Sequence, residues 1–289
     1  MQFKSNLNAS VIDVGSNSVR YMLVADGKIL FKKSIVSQMC LGKKDGYLDK
    51  NSVLRTLSAL FSFTEEAKKQ GFPVYVFATA GVRNSLNGRE FVEKAFALTG
   101  LQVQVLSGEE EAEVALLGAL KGKNGAVIDV GGGSSEVTVK TAEVNYTYSL
   151  DVGAVSLYND SGNDLELASK LLDDKIKEYG EIPESDFKAV GGTATSLAAV
   201  ILKLKTYDDN LVDGFVITKS ELEKVRAEID IPPEELSKKY CVDARRAVVL
   251  KFGALILKKI MEKAKIESVT VSSSDNLEGY LLWKTEKTF

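Results

Sequence analysis

The chain has 289 residues, of which 45% are apolar and 27% charged, a composition typical of soluble globular proteins. Its 37 Lys and Arg against 40 Asp and Glu give a net charge of −3, so it lacks the overall basic charge of a nucleic-acid-binding protein. It contains no histidine, which excludes Ser-His-Asp and Cys-His catalysis and histidine-ligated metals, and leaves acid–base chemistry to carboxylates, Lys, Tyr or Cys.

The first part of the chain predicts a strand, a hairpin and then alternating strands and helices. Asp26-Gly27 between two apolar runs is a strong hairpin signal. The helix that starts at Glu109 opens with three glutamates, which complement the helix dipole. In chain order the predicted elements are strands 9–15, 19–25 and 28–36, a glycine-containing loop 42–46, helix 50–70, strand 73–79, helix 88–99, strand 101–106 and helix 109–120.

The pattern then starts again with a strand, a Gly turn and a second predicted hairpin. Helices dominate the remainder of the chain. The predicted elements here are strands 125–131, 134–140 and 143–151, helix 163–179, strand 187–190, helices 193–203, 219–228, 232–239 and 243–264, strand 267–273 and a last helix 275–285.

This restart is a sequence duplication. VIDVGSNSV at 11–19 and VIDVGGGSSEV at 127–137 share Val-Ile-Asp-Val-Gly followed by small residues and Ser. We therefore expect an α/β protein made of two duplicated domains, 1–118 and 119–289, with a cleft between them. The last helix, about 275–289, is expected to pack back on the first domain.

Two strands that each end in Asp-x-Gly suggest a site for phosphate. Glycine leaves backbone N–H groups free to point at anionic oxygens, and such arrays bind anions even in an acidic protein. Asp13 and Asp129 would face each other across the cleft and hold Mg²⁺, mostly through water. The alternative is a pair of ordinary strand-ending turns. The predicted phosphate-binding residues are Gly15, Ser16, Asn17 and Ser18 in loop 1, Gly131, Gly132, Gly133 and Ser134 in loop 2, and Gly191, Gly192 and Thr193 in a third turn that opens a helix.

Five segments in order carry a family resemblance: VIDVGSNSVR (11–20), FATAGVRNS (77–85), SGEEEA (107–112), VIDVGGGSSE (127–136) and VGGTATSLAA (190–199). They resemble the exopolyphosphatase and guanosine pentaphosphate phosphohydrolase family, Ppx/GppA. This family lies within the actin, Hsp70 and sugar-kinase fold superfamily, so the resemblance implies two duplicated actin-like, ribonuclease H-like ATPase domains. It also implies Mg²⁺-dependent hydrolysis of a terminal phosphoanhydride.

The resemblance further implies roles for three charged residues. Glu111 matches the family's catalytic glutamate, which would orient or deprotonate the attacking water. Glu136 matches a second glutamate near the site, and Arg83 would neutralise charge on the transferred phosphoryl group. Arg20 is a further candidate for contact with phosphates. The alternative for Glu109 to Glu111 is helix-dipole complementation, and for the two arginines it is a solvent-exposed position.

The chain departs from the family pattern at several positions. Ser273 and Leu277 replace an Asp and an Arg of the late block, and Val248 replaces the Asp of an Arg-Ala-Asp block. These outer positions bear more on the substrate channel than on hydrolysis. We therefore expect short polyphosphate chains, guanosine pentaphosphate, or both, as substrates. The resemblance also favours a homodimer.

Two other functions stay open. One is a sensor that binds polyphosphate or guanosine tetraphosphate without turnover, and the other is a small-molecule kinase of the same fold. SGEEEA argues against the kinase, because a water-activating carboxylate beside the γ-phosphate would waste ATP. The polar start of the chain (1–10), and the lack of an apolar run of about 20 residues, favour a cytoplasmic protein without membrane partners. The acidic net charge argues against nucleic-acid partners.

Overall fold

The computed structural model describes residues 3–286, except for the side chain of Glu286. Its first half contains a five-stranded sheet in the order β3-β2-β1-β4-β5, with β1 to β3 antiparallel and β1, β4 and β5 parallel. The elements of this half are β1 Ala9–Val14, β2 Ser18–Ala25, β3 Lys28–Val36, α1 Lys50–Lys68, β4 Val74–Ala78, α2 Ala80–Arg83, α3 Gly88–Thr99, β5 Val103–Val105 and α4 Gly108–Leu120.

The second half repeats this strand order in a sheet of six strands, β10-β11-β9-β6-β7-β8. Its β6 to β8 are antiparallel, β6, β9 and β11 are parallel, and the extra β10 is antiparallel to β11. The elements are β6 Gly125–Val130, β7 Ser135–Lys140, β8 Asn145–Leu150, α5 Ala154–Ser161, α6 Leu165–Lys175, a 3₁₀ turn Ile176–Tyr179, β9 Phe187–Val190, α7 Gly191–Ile201, α8 Asp209–Val212, β10 Val216–Thr218, α9 Lys219–Ile229, α10 Pro233–Lys239, α11 Ala244–Lys263, β11 Ser268–Val271 and α12 Asn276–Glu286.

Two helices that follow residue 118 in the chain pack on the first half. Helix α12 buries Leu277, Tyr280 and Leu281 in one hydrophobic cluster with residues of β1, β2 and β4. The Tyr280 ring stacks on that of Phe77, with the centroids 4.3 Å apart. Helix α5 places Ala154 in the core cluster beneath the same sheet. The first half is therefore completed by segments from beyond its own last helix.

Helices α4 and α12 cross in backbone contact at two glycines. A Cβ on Gly279 would overlap the carbonyl oxygen of Val114, and one on Gly118 would overlap that of Asp275. Only glycine permits this approach, because any side chain would force the two helices apart. This crossing fixes α12 against the helix that leads from the first half into the second.

The structure differs from the predicted elements at several places. Helix 163–179 is interrupted, since α6 ends at Lys175 and a 3₁₀ turn follows. Helix 193–203 begins and ends two residues earlier, as α7, directly after β9. The elements α2, α5, α8 and β10 were not predicted; each has eight residues or fewer, too few for a clear periodic signal. No helix within residues 3–286 is long and apolar enough to cross a membrane.

Candidate functional site

Loops 1 and 2 have the same backbone turn in the two halves. The amide of Gly15 donates to the carbonyl of Ser18 at 3.0 Å, and the amide of Gly131 donates to that of Ser134, also at 3.0 Å. Each turn connects the first two antiparallel strands of its sheet. The two repeated sequence segments thus fold into the same local backbone geometry.

The third turn lies beside the aspartate of loop 2. Gly191 has a φ of +80°, and a Cβ there would lie 2.6 Å from Asp129 Oδ1. Thr193 donates its hydroxyl to the carbonyl of Val130 at 2.8 Å. These contacts hold the first turn of α7 against the end of β6, with its N-terminal amides at the cleft.

One cleft between the two halves collects most of the predicted site residues. The predicted residues that line it are Asp13, Gly15, Ser16, Asn17, Ser18, Glu111, Asp129, Gly131, Gly132, Gly133, Ser134, Gly191, Gly192 and Thr193. The structure therefore brings both aspartates, Glu111 and all three glycine turns to one place. Their chemical roles stay predictions.

The three glutamates at the start of α4 point in different directions. Ser107 caps the helix by accepting from the amide of Glu110, and the carboxylate of Glu110 accepts in return from the amide of Ser107. Glu109 is exposed, whereas Glu111 is buried and lines the cleft. Helix capping thus explains Glu110 but leaves Glu111 free to act in the cleft.

Arg83 and Glu136 lie behind the lining residues. Arg83 Nη1 donates to Glu111 Oε2 and to the carbonyl of Leu106, both at 2.8 Å. Its Nη2 is buried and has no partner among the described residues. Glu136 accepts from the hydroxyl of Ser149 at 2.7 Å, while its other carboxylate oxygen is buried without a partner in the described part of the chain.

The two aspartates face different partners in their sheets. Asp13 is paired in register with Arg20, whose Nε donates to Asp13 Oδ2 at 2.9 Å. At the equivalent position Asp129 is paired with Glu136. Burial and the charge of Glu111 raise the pKa of Asp129 to about 7. Burial and the charges of Glu111 and Asp129 raise the pKa of Glu136 well above its ordinary value. These two carboxyls of the second half therefore favour the protonated form more than an ordinary carboxyl does.

Two arginines also line the cleft: Arg20, which the sequence offers as a phosphate contact, and Arg246, which was not predicted. The side chain of Arg20 is only 20% exposed and forms ion pairs with Asp13 and Asp275. The alternative of a solvent-exposed arginine is therefore wrong for this residue. Arg246, at the start of α11, donates to the Ser18 hydroxyl at 3.1 Å and covers Gly192. Arg246 lies far from loops 1 and 2 in sequence, and its place in the Arg-Ala-Asp block is the signal that could have indicated it.

Comparison with known proteins identifies the family. Residues 24–288 match the sequence model of the Ppx/GppA phosphatase family. The chain belongs to this family. It is 27% identical over 315 residues to a bifunctional 3-dehydroquinate synthase/phosphatase of Fusobacterium nucleatum, covering 97% of this chain and 47% of that protein. The chain thus spans about half the length of that relative.

Solved Ppx/GppA structures are similar over nearly the whole chain. A crystal structure of the Aquifex aeolicus family member is 28% identical, covers 98% of each chain and has a TM-score of 0.76. An exopolyphosphatase-like protein has a TM-score of 0.88 at 21% identity, covering 98% of this chain and 100% of that one, which shows the fold alone. The predicted fold, α/β with two duplicated actin-like halves around a cleft, is confirmed.

The Ppx/GppA cleft offers oxygen donors for a hard cation. The buried oxygens Asp13 Oδ1, Asn17 Oδ1, Glu136 Oε2 and Asn276 Oδ1 have no hydrogen-bond partner among the described residues. Oxygen ligands of this kind suit Mg²⁺. Within residues 3–286, however, no three His, Cys, Asp or Glu side chains converge to ligate a metal directly. These oxygens suit a hard cation in their chemistry, and water would have to supply its remaining ligands.

Replacing Asp129 by Asn is expected to stabilise the folded chain at pH 8 in metal-free buffer, by about 1–3 kcal/mol. The pKa of Asp129 is about 7 in the folded state, against about 3.9 when unfolded. Folding therefore favours the protonated acid, so its contribution is fully present below about pH 4 and is lost as the pH rises through about 7. Asn imitates the protonated acid. Urea unfolding between pH 4 and pH 8 measures the difference.

Asp275→Asn is the matched control and should have the opposite sign. Burial acts to raise the pKa of Asp275, but the charges of Arg20 and Lys32 outweigh it and lower the pKa below its ordinary value. Its ionised form therefore stabilises the fold at pH 8, and the Asn variant should be less stable there. Equal destabilisation by both substitutions would contradict the assignment of an unfavourable charge to Asp129.

Proposed function

We propose that this chain is a Mg²⁺-dependent hydrolase that releases the terminal phosphate of inorganic polyphosphate, of guanosine pentaphosphate, or of both. The observation that carries the proposal is the position of Glu111. This carboxylate is buried in the cleft among the phosphate loops, and its only charged hydrogen-bond partner among the described residues is Arg83. Membership of the Ppx/GppA phosphatase family supports the same chemistry.

Glu111 would act as the general base. Burial raises the pKa of its carboxyl, and Arg83 limits that rise. A carboxylate with a raised pKa is a better proton acceptor near neutral pH. Glu111 takes a proton from water as the water oxygen forms a bond to the terminal phosphorus. The bond from that phosphorus to the bridging oxygen breaks, and the leaving phosphate chain keeps the electron pair.

The loops and Arg83 would bind and orient the phosphates. Loops 1 and 2 and the start of α7 border the cleft, and their backbone N–H groups, apart from those of Gly15 and Gly131 that donate within their own turns, would meet phosphate oxygens. The partner-free Nη2 of Arg83 is available to charge that develops on the transferred phosphoryl group. Mg²⁺, held by Asp13 and Asp129 mostly through water, would supply further charge neutralisation when bound.

The departures from the family pattern favour short substrates. Leu277 is buried in the contact of α12 with the first sheet, so this position offers the cleft no charge. Val248 packs against the core of the first half. Fewer cationic contacts are therefore available along an extended polyanion. A cytoplasmic location and a homodimer stay predictions of the sequence.

Phosphate release decides between an enzyme and a sensor. Polyphosphate of defined length and guanosine pentaphosphate are incubated with the protein in Mg²⁺ and, separately, with excess chelator. Release that depends on Mg²⁺ is expected. Tight binding of polyphosphate or guanosine tetraphosphate, with no release from any substrate, would replace the hydrolase by the non-catalytic sensor.

Catalytic efficiency per chain end is expected to depend little on polyphosphate length. We expect a change of less than about tenfold from short oligomers to chains of hundreds of units, equivalent to under roughly 1.4 kcal/mol. Each absent cationic contact removes a counterion-release contribution, so added length brings little affinity. The assay uses sized polyphosphates at a fixed concentration of ends. If catalytic efficiency rose steeply with chain length and the rise disappeared in high salt, the prediction would be wrong. The protein would then have an extended surface of Lys and Arg side chains that binds long chains.

A further inference from the structure

Residues 37–42, which follow β3, support loop 1 from outside the cleft. We call this segment the 37–42 strap. Its Gln38 amide donates to the carbonyl of Asn17 at 2.8 Å, and its Cys40 amide donates to the carbonyl of Ser16 at 2.9 Å. Two consecutive carbonyls of loop 1 are thereby fixed. Since a peptide group is planar, this also fixes the direction of the neighbouring loop amides.

The strap is in turn held by a side chain of the second half. Asn159, in the last turn of α5, donates Nδ2 to the carbonyl of Cys40 at 2.7 Å. Its Oδ1 accepts from the amide of Gly42 at 3.1 Å. Both ends of the amide are thus used, and a single residue, Cys40, separates Asn159 from loop 1.

The other end of α5 holds loop 2. The amide of Ala154 donates to the carbonyl of Gly131 at 2.9 Å, and that of Val155 donates to Gly132 at 2.8 Å. A helix rises about 1.5 Å per residue, so the two ends of α5 are a fixed distance apart. Ala154 and Val155 are also buried in the core of the first half, which prevents the helix from shifting.

We propose that Asn159 is a positioning residue that sets the separation of the two phosphate loops, by linking α5 to loop 1 through the 37–42 strap. This inference rests on the proposed function, because it matters for hydrolysis only if both loops hold the same substrate. Loss of the link leaves each loop and their direct contact at Ser16 and Gly132 in place, but removes a constraint on their spacing. A misplacement of about 1 Å can cost about 10²-fold in rate, so the effect should fall on turnover.

Asn159→Ala tests the link against a neighbour on the same helix turn. We expect kcat for phosphate release to fall about tenfold or more, with a smaller change in KM and a nearly unchanged melting temperature. Asn159→Asp keeps an acceptor for Gly42 but cannot donate to Cys40 when ionised, so it should be similarly impaired. Asp160→Ala, at the exposed next position, is the control and should stay within about twofold of the wild type.

Hydrogen–deuterium exchange gives a readout that does not need turnover. In Asn159→Ala the amides of Gln38 and Cys40 should exchange faster than in the wild type, although Asn159 touches neither amide. Unchanged exchange there, or a kcat equal to that of the Asp160 control, would overturn the positioning role. If the wild type releases no phosphate, the proposed function fails, and the exchange comparison still decides whether Asn159 orders loop 1.

Discussion

Replacing Glu111 by Gln is expected to lower kcat for phosphate release by a factor of about 10²–10⁴ while leaving substrate binding intact. Gln keeps the size of the side chain and can still accept a hydrogen bond from Arg83 and orient water. It cannot take the proton that the attacking water must lose. Initial rates at saturating substrate give kcat. Calorimetric titration with a substrate analogue that cannot be hydrolysed measures binding to the wild type and to the variant.

Glu109→Gln is the matched control for that experiment. Glu109 lies two positions earlier in the same turn of α4 but is exposed, so its variant should keep wild-type kcat within about twofold. Unchanged turnover in the Glu111 variant would move the base elsewhere. Glu136 would then be the next candidate, since its carboxyl is also buried and has a strongly raised pKa.

Replacing Gly279 by Ala is expected to lower the free energy of unfolding by about 3 kcal/mol or more. The new methyl group would overlap the carbonyl oxygen of Val114, which is backbone and cannot turn aside as a side chain would. The two helices must therefore separate, and the contacts of Tyr280 and Leu281 with the first sheet loosen. Urea denaturation followed by tryptophan fluorescence reports the change, because Trp283 lies in the same cluster.

Thr285→Ala, on the same helix, is the control: it also introduces Ala into α12 but creates no overlap with α4. Its side chain is only partly buried, and its hydroxyl bonds its own helix, so the change should be within about 0.5 kcal/mol. A loss below about 1 kcal/mol in the Gly279 variant would show that α12 can move away from α4 at little cost. The close crossing would then not be a source of stability.

The duplicated core of the site could be predicted because its signals are local. A run of buried residues followed by Asp-x-Gly encodes a strand and its turn without help from the remainder of the fold. Loops 1 and 2 therefore appear in the structure where the sequence placed them, with the same internal hydrogen bond. Burial of Glu111 also agrees with its position, since the capping role falls to Glu110 instead.

Other parts of the site depend on contacts that no local pattern contains. Helix α5 has only eight residues and is held by burial in the core of the first half. Such a short helix is marginal in isolation, so propensity gives little sign of it. Arg246 reaches the cleft from a helix more than half the chain away from loop 1. The link from Asn159 to loop 1 joins residues that only the closed fold brings together.

The packing of α5 and α12 on the first half affects how the protein unfolds. Without them, residues 1–118 would expose the apolar surfaces of two hydrophobic clusters to water. The predicted boundary at residue 118 therefore does not separate two units with independent cores. Cutting the chain there should yield an N-terminal fragment that aggregates, and heating the intact chain should give one cooperative transition, because the first half does not keep its core once α5 and α12 unfold with the second.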